Sequence, residues 1–120
     1  MQLKVITKDG SKHLKDLQVG ELILCEGGQY LPVKSIMVIS GNPILIRTSD
    51  NSQFHVTKRM VLKTDKGFKY PELWDTLIIN QDITPMIVHL KIVDRIEFFY
   101  DILVDGNIVT PHGVIFRYSE

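Results

Sequence analysis

The chain has 120 residues, 44% of them hydrophobic, with 14 basic and 14 acidic side chains. That length suits one domain over residues 1–120, and the hydrophobic content excludes a disordered tail. Balanced, dispersed charge argues against a nucleic-acid partner, no apolar run approaches the ~20 residues of a membrane span, and "MQLKVITKDG" lacks the apolar core of a secretory signal. The chain is not expected to be secreted by that route.

In chain order the sequence offers short β-branched runs closed by turn residues. "LKVIT" stops at Asp9-Gly10, "ELILCE" at Gly27-Gly28, "PVKSIMVI" at Gly41-Asn42-Pro43 and "ILIRT" at Asp50-Asn51. Strands continue through "QFHVT", "MVLKT" before Asp65-Lys66-Gly67, "TLIIN", "MIVHLKIVDRIEFF", "YDILVD" and "GVIFRY". The fold class is all-β. Consecutive apolar positions in "ILIR" and "TLII" predict strands covered on both faces, and the alternation in "QFHVT" predicts a half-exposed one. Asp94-Arg95 interrupts the long run from Met86 and predicts two strands. Helix is expected only as single turns near 13–18 and 70–76, since "HLKDLQ" and "YPELWD" are too short for more.

The chain also looks duplicated. "LQVGELIL" followed by "YLPVKSI" matches "PELWDTLII" followed by "VHLKIVDRI", and "HVTKRMVLK" matches "IVTPHGVIFR", with Val56-Thr57 aligned on Val109-Thr110. Two copies predict two β-subdomains about a pseudo-twofold axis, each closing the other's open edge in a compact folded-over sheet.

Chemistry-bearing residues are sparse. Cys25, the lone cysteine, excludes an internal disulfide and reads as a small buried thiol. His13, His55, His89 and His112 lack paired ligand spacing, so neither metal nor cofactor is expected. "EGGQY" lacks the glycine pattern and lysine of a phosphate loop and reads as a hairpin turn. Tyr70 and Trp74 flank a turn, as a plug over an open barrel end or, less favoured, a partner anchor. Phe98 and Phe99 lie in a run of three aromatics that strand alternation must split between faces, so one face is a candidate contact surface.

Three stretches carry a family resemblance: "VITKDGSKHLKDLQVGELIL", "ILIRTSDNSQFHVTKRMVLKTDKGF" and "YDILVDGNIVTPHGVIF". In order and spacing the chain resembles the Hint (hedgehog and intein) domain along essentially its whole length. The resemblance implies a first-position Cys or Ser nucleophile, a His in a Thr-x-x-His motif, and a final His-Asn pair. Here the nucleophile's position falls before Met1, and the Thr-x-x-His motif reads Thr57 to Met60. The place after Gly106-Asn107 that often carries His holds Ile108, and the final pair reads Arg117-Tyr118. A thioether cannot act as a proton donor near neutrality, and a tyrosine cannot cyclise as asparagine does. Thr57 reads first as a strand or turn residue and second as a relic hydroxyl, while the resemblance lets His55 and His112 approach the old centre as a residual pair.

The expectation is a catalytically inactive Hint-like domain, a structural or protein-binding module whose partner is another protein or a larger assembly; by analogy a phage or other mobile element is its setting, and the expected location is cytoplasmic or virion-associated. The alternatives are a self-cleaving intein-like element using non-standard residues, and a small β-barrel binding nucleic acid or a small ligand. Met60 is expected to be buried against last-block residues such as Val114 or Phe116.

Overall fold

The computed structural model describes residues 2–79 and 84–119. Among the described residues thirteen strands follow in order: β1 (Lys4–Thr7), β2 (Gly10–His13), β3 (Leu22–Leu24), β4 (Tyr30–Pro32), β5 (Ser35–Gly41), β6 (Ile44–Thr48), β7 (Gln53–Val56), β8 (Met60–Thr64), β9 (Gly67–Lys69), β10 (Ile87–Ile92), β11 (Glu97–Leu103), β12 (Ile108–Val109) and β13 (Ile115–Tyr118). A 3₁₀ turn at Leu14–Asp16 is the one helical element among the described residues, inside the window expected for it. The second window, 70–76, holds a turn and no helix.

Strand pairing builds four sheets, ordered β2-β1-β3-β4, β10-β6-β7, β11-β5 and β12-β13-β8-β9. The strand succession β5–β6 in the first half corresponds to β10–β11 in the second. Each of these strands pairs across the halves: β5 runs antiparallel to β11 from Ser35↔Leu103 to Gly41↔Glu97, and β6 to β10. The halves thus exchange their longest strands, and each covers an edge the other would leave open. At the seam lies a core of fully buried Val5, Ile23, Ile46, Val56, Leu62 and Phe116.

The duplication holds at atomic detail. Thr7 Oγ1 donates to Gly10 O (2.7 Å) and accepts from Asp9 N–H (3.1 Å); Thr64 Oγ1 donates to Gly67 O (2.8 Å) and accepts from Lys66 N–H (3.1 Å). In each half the threonine side chain closes the turn that starts a hairpin. Further along, Val33 N–H donates to Glu21 O and Gly20 N–H to Val33 O, just as Ile87 N–H donates to Asp75 O and Trp74 N–H to Ile87 O.

Three strand expectations need correction. "PVKSIMVI" divides because Val33 N–H turns to Glu21 O and Lys34 N–H to Leu103 O, moving the chain from one sheet to another. "TLIIN" supplies only single bridges, Thr64↔Leu77 and Thr76↔Met86, since its neighbours on the two sides each meet one residue; Asn80 lies outside the described residues. "QFHVT" is not half-exposed: Phe54, His55, Val56 and Thr57 are all buried, because Gln2 bridges to His55 and closes the outer side of β7. The long run after Met86 does divide, into β10 and β11.

Candidate functional site

Gln2, His55, Thr57, Met60, Asp101 and Tyr118 converge on one small cavity at the seam, of about 10 Å³. β7 brings in His55 and delivers Thr57 just past its end. β8 starts at Met60, whose N–H donates to Thr57 O (3.1 Å) and tightens the turn between them. Asp101 comes from the centre of β11 and Tyr118 from the end of β13, in register with Met60. Met60 is buried at 3% exposure, as expected. Its cross-strand neighbour is Tyr118, while Phe116 sits opposite Leu62.

Buried polar atoms here lack partners: His55 Nδ1, Thr57 Oγ1 and Asp101 Oδ1 have none among the described residues. The other carboxylate oxygen of Asp101 accepts from Arg59 Nη1 at 2.9 Å. Burial pushes the Asp101 carboxyl up from its ordinary value, and the Arg59 charge opposes that push only in part. Burial likewise holds the His55 imidazole below its ordinary value, so it stays neutral near pH 7. The Tyr118 phenol is raised by burial and by the Asp101 charge, and its hydroxyl reaches Tyr100 O at 3.4 Å.

A neutral imidazole and a carboxyl with a raised pKa are the kinds of group that move protons. A cavity of this size, however, has room for about a single water beside them.

The residues singled out in the sequence divide. Thr57, Met60 and Tyr118 meet at this cavity. Ile108 does not: it is buried in β12, opposite Phe116 and bridged to Cys25, in the position of the other half that matches His55. His112 is exposed in the turn between β12 and β13 and does not line the cavity with His55. Arg117 is turned outward by strand alternation, its guanidinium 4.8 Å from the centre of the Phe68 ring. Cys25 is buried, with its thiol pushed up. Arg59 and Asp101 carried no sequence signal, because their pairing joins residues 42 positions apart.

Among the candidate contact aromatics, Phe98 (67% exposed), Trp74 (63%) and Tyr70 (52%) lie on the surface. Phe99 is withdrawn from that set, since β11 alternation turns it inward at 5% exposure. Trp74 plugs no barrel end, as most of its ring meets solvent.

No protein-family model matches the sequence, and no curated protein does. Solved structures do. The gp41-1 intein superposes with a TM-score of 0.80 at 16% identity, covering 97% of this chain and 94% of that one. A variant of the Ssp DnaB mini-intein gives 0.82 at 14% identity, covering 99% and 93%, and a DnaB intein from Synechocystis sp. PCC 6803 gives 0.80 at 16%, covering 98% and 95%. The fold is the Hint fold. The superpositions span both pseudo-symmetric halves, so the Hint resemblance of the three sequence stretches extends to the whole strand arrangement.

Proposed function

We propose that this Hint-fold domain does not splice or cleave itself and serves as a structural or protein-binding module. The observation that carries the reading is the packing of the small cavity: Met60 and Tyr118 stand where the resemblance requires His and Asn, and about 10 Å³ remains beside them. A thioether and a phenol offer neither the proton donor for amide cleavage nor the carboxamide for cyclisation. Fold likeness to inteins does not decide the matter, since function follows from the site.

A second reading has one observation in its favour. His55, with an unpartnered Nδ1, lies beside Gln2, so a peptide bond entering through the chain start passes close to an imidazole. One experiment separates the two. The chain is produced with short native-like segments at both ends and its intact mass followed for several days at pH 6 to 8, alone and with added thiol. The mass is expected to stay unchanged; loss of either segment, abolished by His55→Gln, establishes self-cleavage instead.

A further inference from the structure

A separate concavity of about 680 Å³ opens between the end of β11 and the end of β13. It has the volume of a ligand site. Val61, Phe68, Val104, Gly106, Arg117 and Tyr118 are among the residues that line it.

The groove exists because β12 ends early. Ile108 and Val109 pair with Phe116 and Ile115, and continuing that register places Gly106 opposite Tyr118. Gly106 instead packs down onto Leu31 and Cys25; a Cβ there would meet Leu31 Cδ1 at 2.9 Å. The chain leaves β13 at that bend, and the edge of β13 beyond Phe116 stays open.

Backbone direction follows from one hydrogen bond. Ser119 N–H donates to Arg59 O (2.6 Å), so in β13 the backbone groups of Arg117 face β8 and those of Phe116 and Tyr118 face the other way. Phe116 meets Ile108 there, whereas the Tyr118 N–H and C=O have no backbone partner among the described residues.

Charge is one-sided. Among the described residues no carboxylate lines the groove, and the neighbouring acids Asp105 and Glu26 are engaged by Lys34 and Lys63. Arg117, held over the Phe68 ring, has no ion pair among the described residues.

We propose that this groove binds an extended, acidic peptide segment of a partner protein. The segment adds as a short strand to the open edge at Tyr118, apolar side chains settle on Val61, Phe68 and Val104, and a carboxylate meets Arg117. The proposal rests on the protein-binding reading above and supplies its partner chemistry.

The test pans a random eight-residue peptide display library on the intact protein, then titrates the enriched peptide, made synthetically, into ¹⁵N-labelled protein. Enrichment of alternating apolar residues with Asp or Glu is expected, with the largest amide shifts at Gly106, Asn107 and Tyr118. Arg117→Glu, at an exposed position, is expected to weaken binding at least ~10-fold by placing like charges together. Replacing the peptide's acid by its amide should weaken it less, and a single backbone N-methyl at the pairing residue should abolish it. No enrichment, enrichment without acids, or shifts centred on Trp74 or Phe98 overturns the groove. The last result leaves the protein-binding reading standing, while mass loss in the cleavage experiment defeats that reading whatever the peptides do.

Discussion

The turns Gln18–Glu21 and Glu72–Asp75 share one backbone built from different residues. In both, a carboxylate accepts from a backbone N–H three residues earlier and from a lysine on the preceding hairpin: Glu21 from Gln18 and Lys12, Asp75 from Glu72 (2.9 Å) and Lys69 (2.7 Å). In both, the residue before the carboxylate has positive φ, +93° at Gly20 and +74° at Trp74. Glycine adopts that conformation freely, and tryptophan adopts it at a cost. The difference teaches that the fold dictates the backbone at this point and the residue must accept it, even an indole that is 63% exposed. The tight turns after β7 and β12 make the same comparison. Met60 N–H bonds Thr57 O, and Gly113 N–H bonds Thr110 O (2.8 Å). In the first turn that position holds a core side chain; in the second it holds glycine at φ +86°.

The largest expected effect breaks this last pair. Met60→Ala should cost about 2–5 kcal/mol, from lost transfer energy and a cavity among Leu3, Leu14 and Tyr118. Gly113→Ala should cost a similar ~2–4 kcal/mol for a different reason: positive φ, and a Cβ 2.5 Å from Ile79 Cγ2. Urea unfolding of both variants checks the pair, and a Gly113→Ala cost of only ~1–2 kcal/mol, the share of the positive φ alone, would show that Ile79 yields.

The two carboxylate turns should differ next. Asp75 is 2% exposed at its side chain, whereas Glu21 is 18% exposed. Asp75→Ala is expected to cost ~2–3 kcal/mol through lost charge-assisted hydrogen bonds, and Glu21→Ala distinctly less. Burial raises the Asp75 carboxyl, but Lys69, the Glu72 N–H and Lys66 together outweigh it and hold the group below its ordinary value. Its contribution is therefore present above the unfolded-state pKa and lost as pH falls through the folded one. Equal midpoint shifts for the two variants would erase the distinction between the halves.

His55 and its counterpart Ile108 sharpen the comparison by pH. The His55 imidazole is held down by burial, so its contribution is complete above about pH 6.5, the unfolded value. As pH falls through that value, the unfolded chain binds a proton that the folded chain refuses, and stability drops. Asp101 has the opposite sign: its raised carboxyl keeps a proton in the folded chain, so its penalty grows as pH rises above the ordinary carboxylate range. Urea midpoints between pH 5 and 7 should decline less steeply toward pH 5 in His55→Gln than in the parent. An unchanged slope would mean that His55 is solvated.

The smallest effect concerns the left-handed position itself. Gly20→Ala has open space for its Cβ and should cost only ~1–2 kcal/mol of backbone strain. Trp74→Gly should leave stability within ~1 kcal/mol of the parent or raise it, as relief of strain offsets the loss of a mostly exposed ring. A marked loss in thermal midpoint would show that the indole packs more than its exposure implies.

Much of the fold was legible in the residues. Turn pairs such as Asp9-Gly10 and Gly27-Gly28 mark hairpins because local φ and ψ demands act within a few residues. The duplication is likewise written in the chain, as matching phrases that fold to matching hydrogen bonds. The burial of Met60 was readable, since an apolar side chain replacing a polar one at a converging turn has little to gain from solvent.

Tertiary structure alone decided the rest. Strand exchange sends Val33 and Lys34 to different sheets and breaks a run that reads as continuous, because backbone groups bond to partners distant in sequence. The chain start covers β7 and buries a strand whose alternation signals exposure. Arg59 meets Asp101, Ile108 joins the opposite half, and the early end of β12 leaves Tyr118 with an open edge. Each depends on which segments lie side by side after the two halves interlock, and periodicity along one segment reports the shape of that segment only.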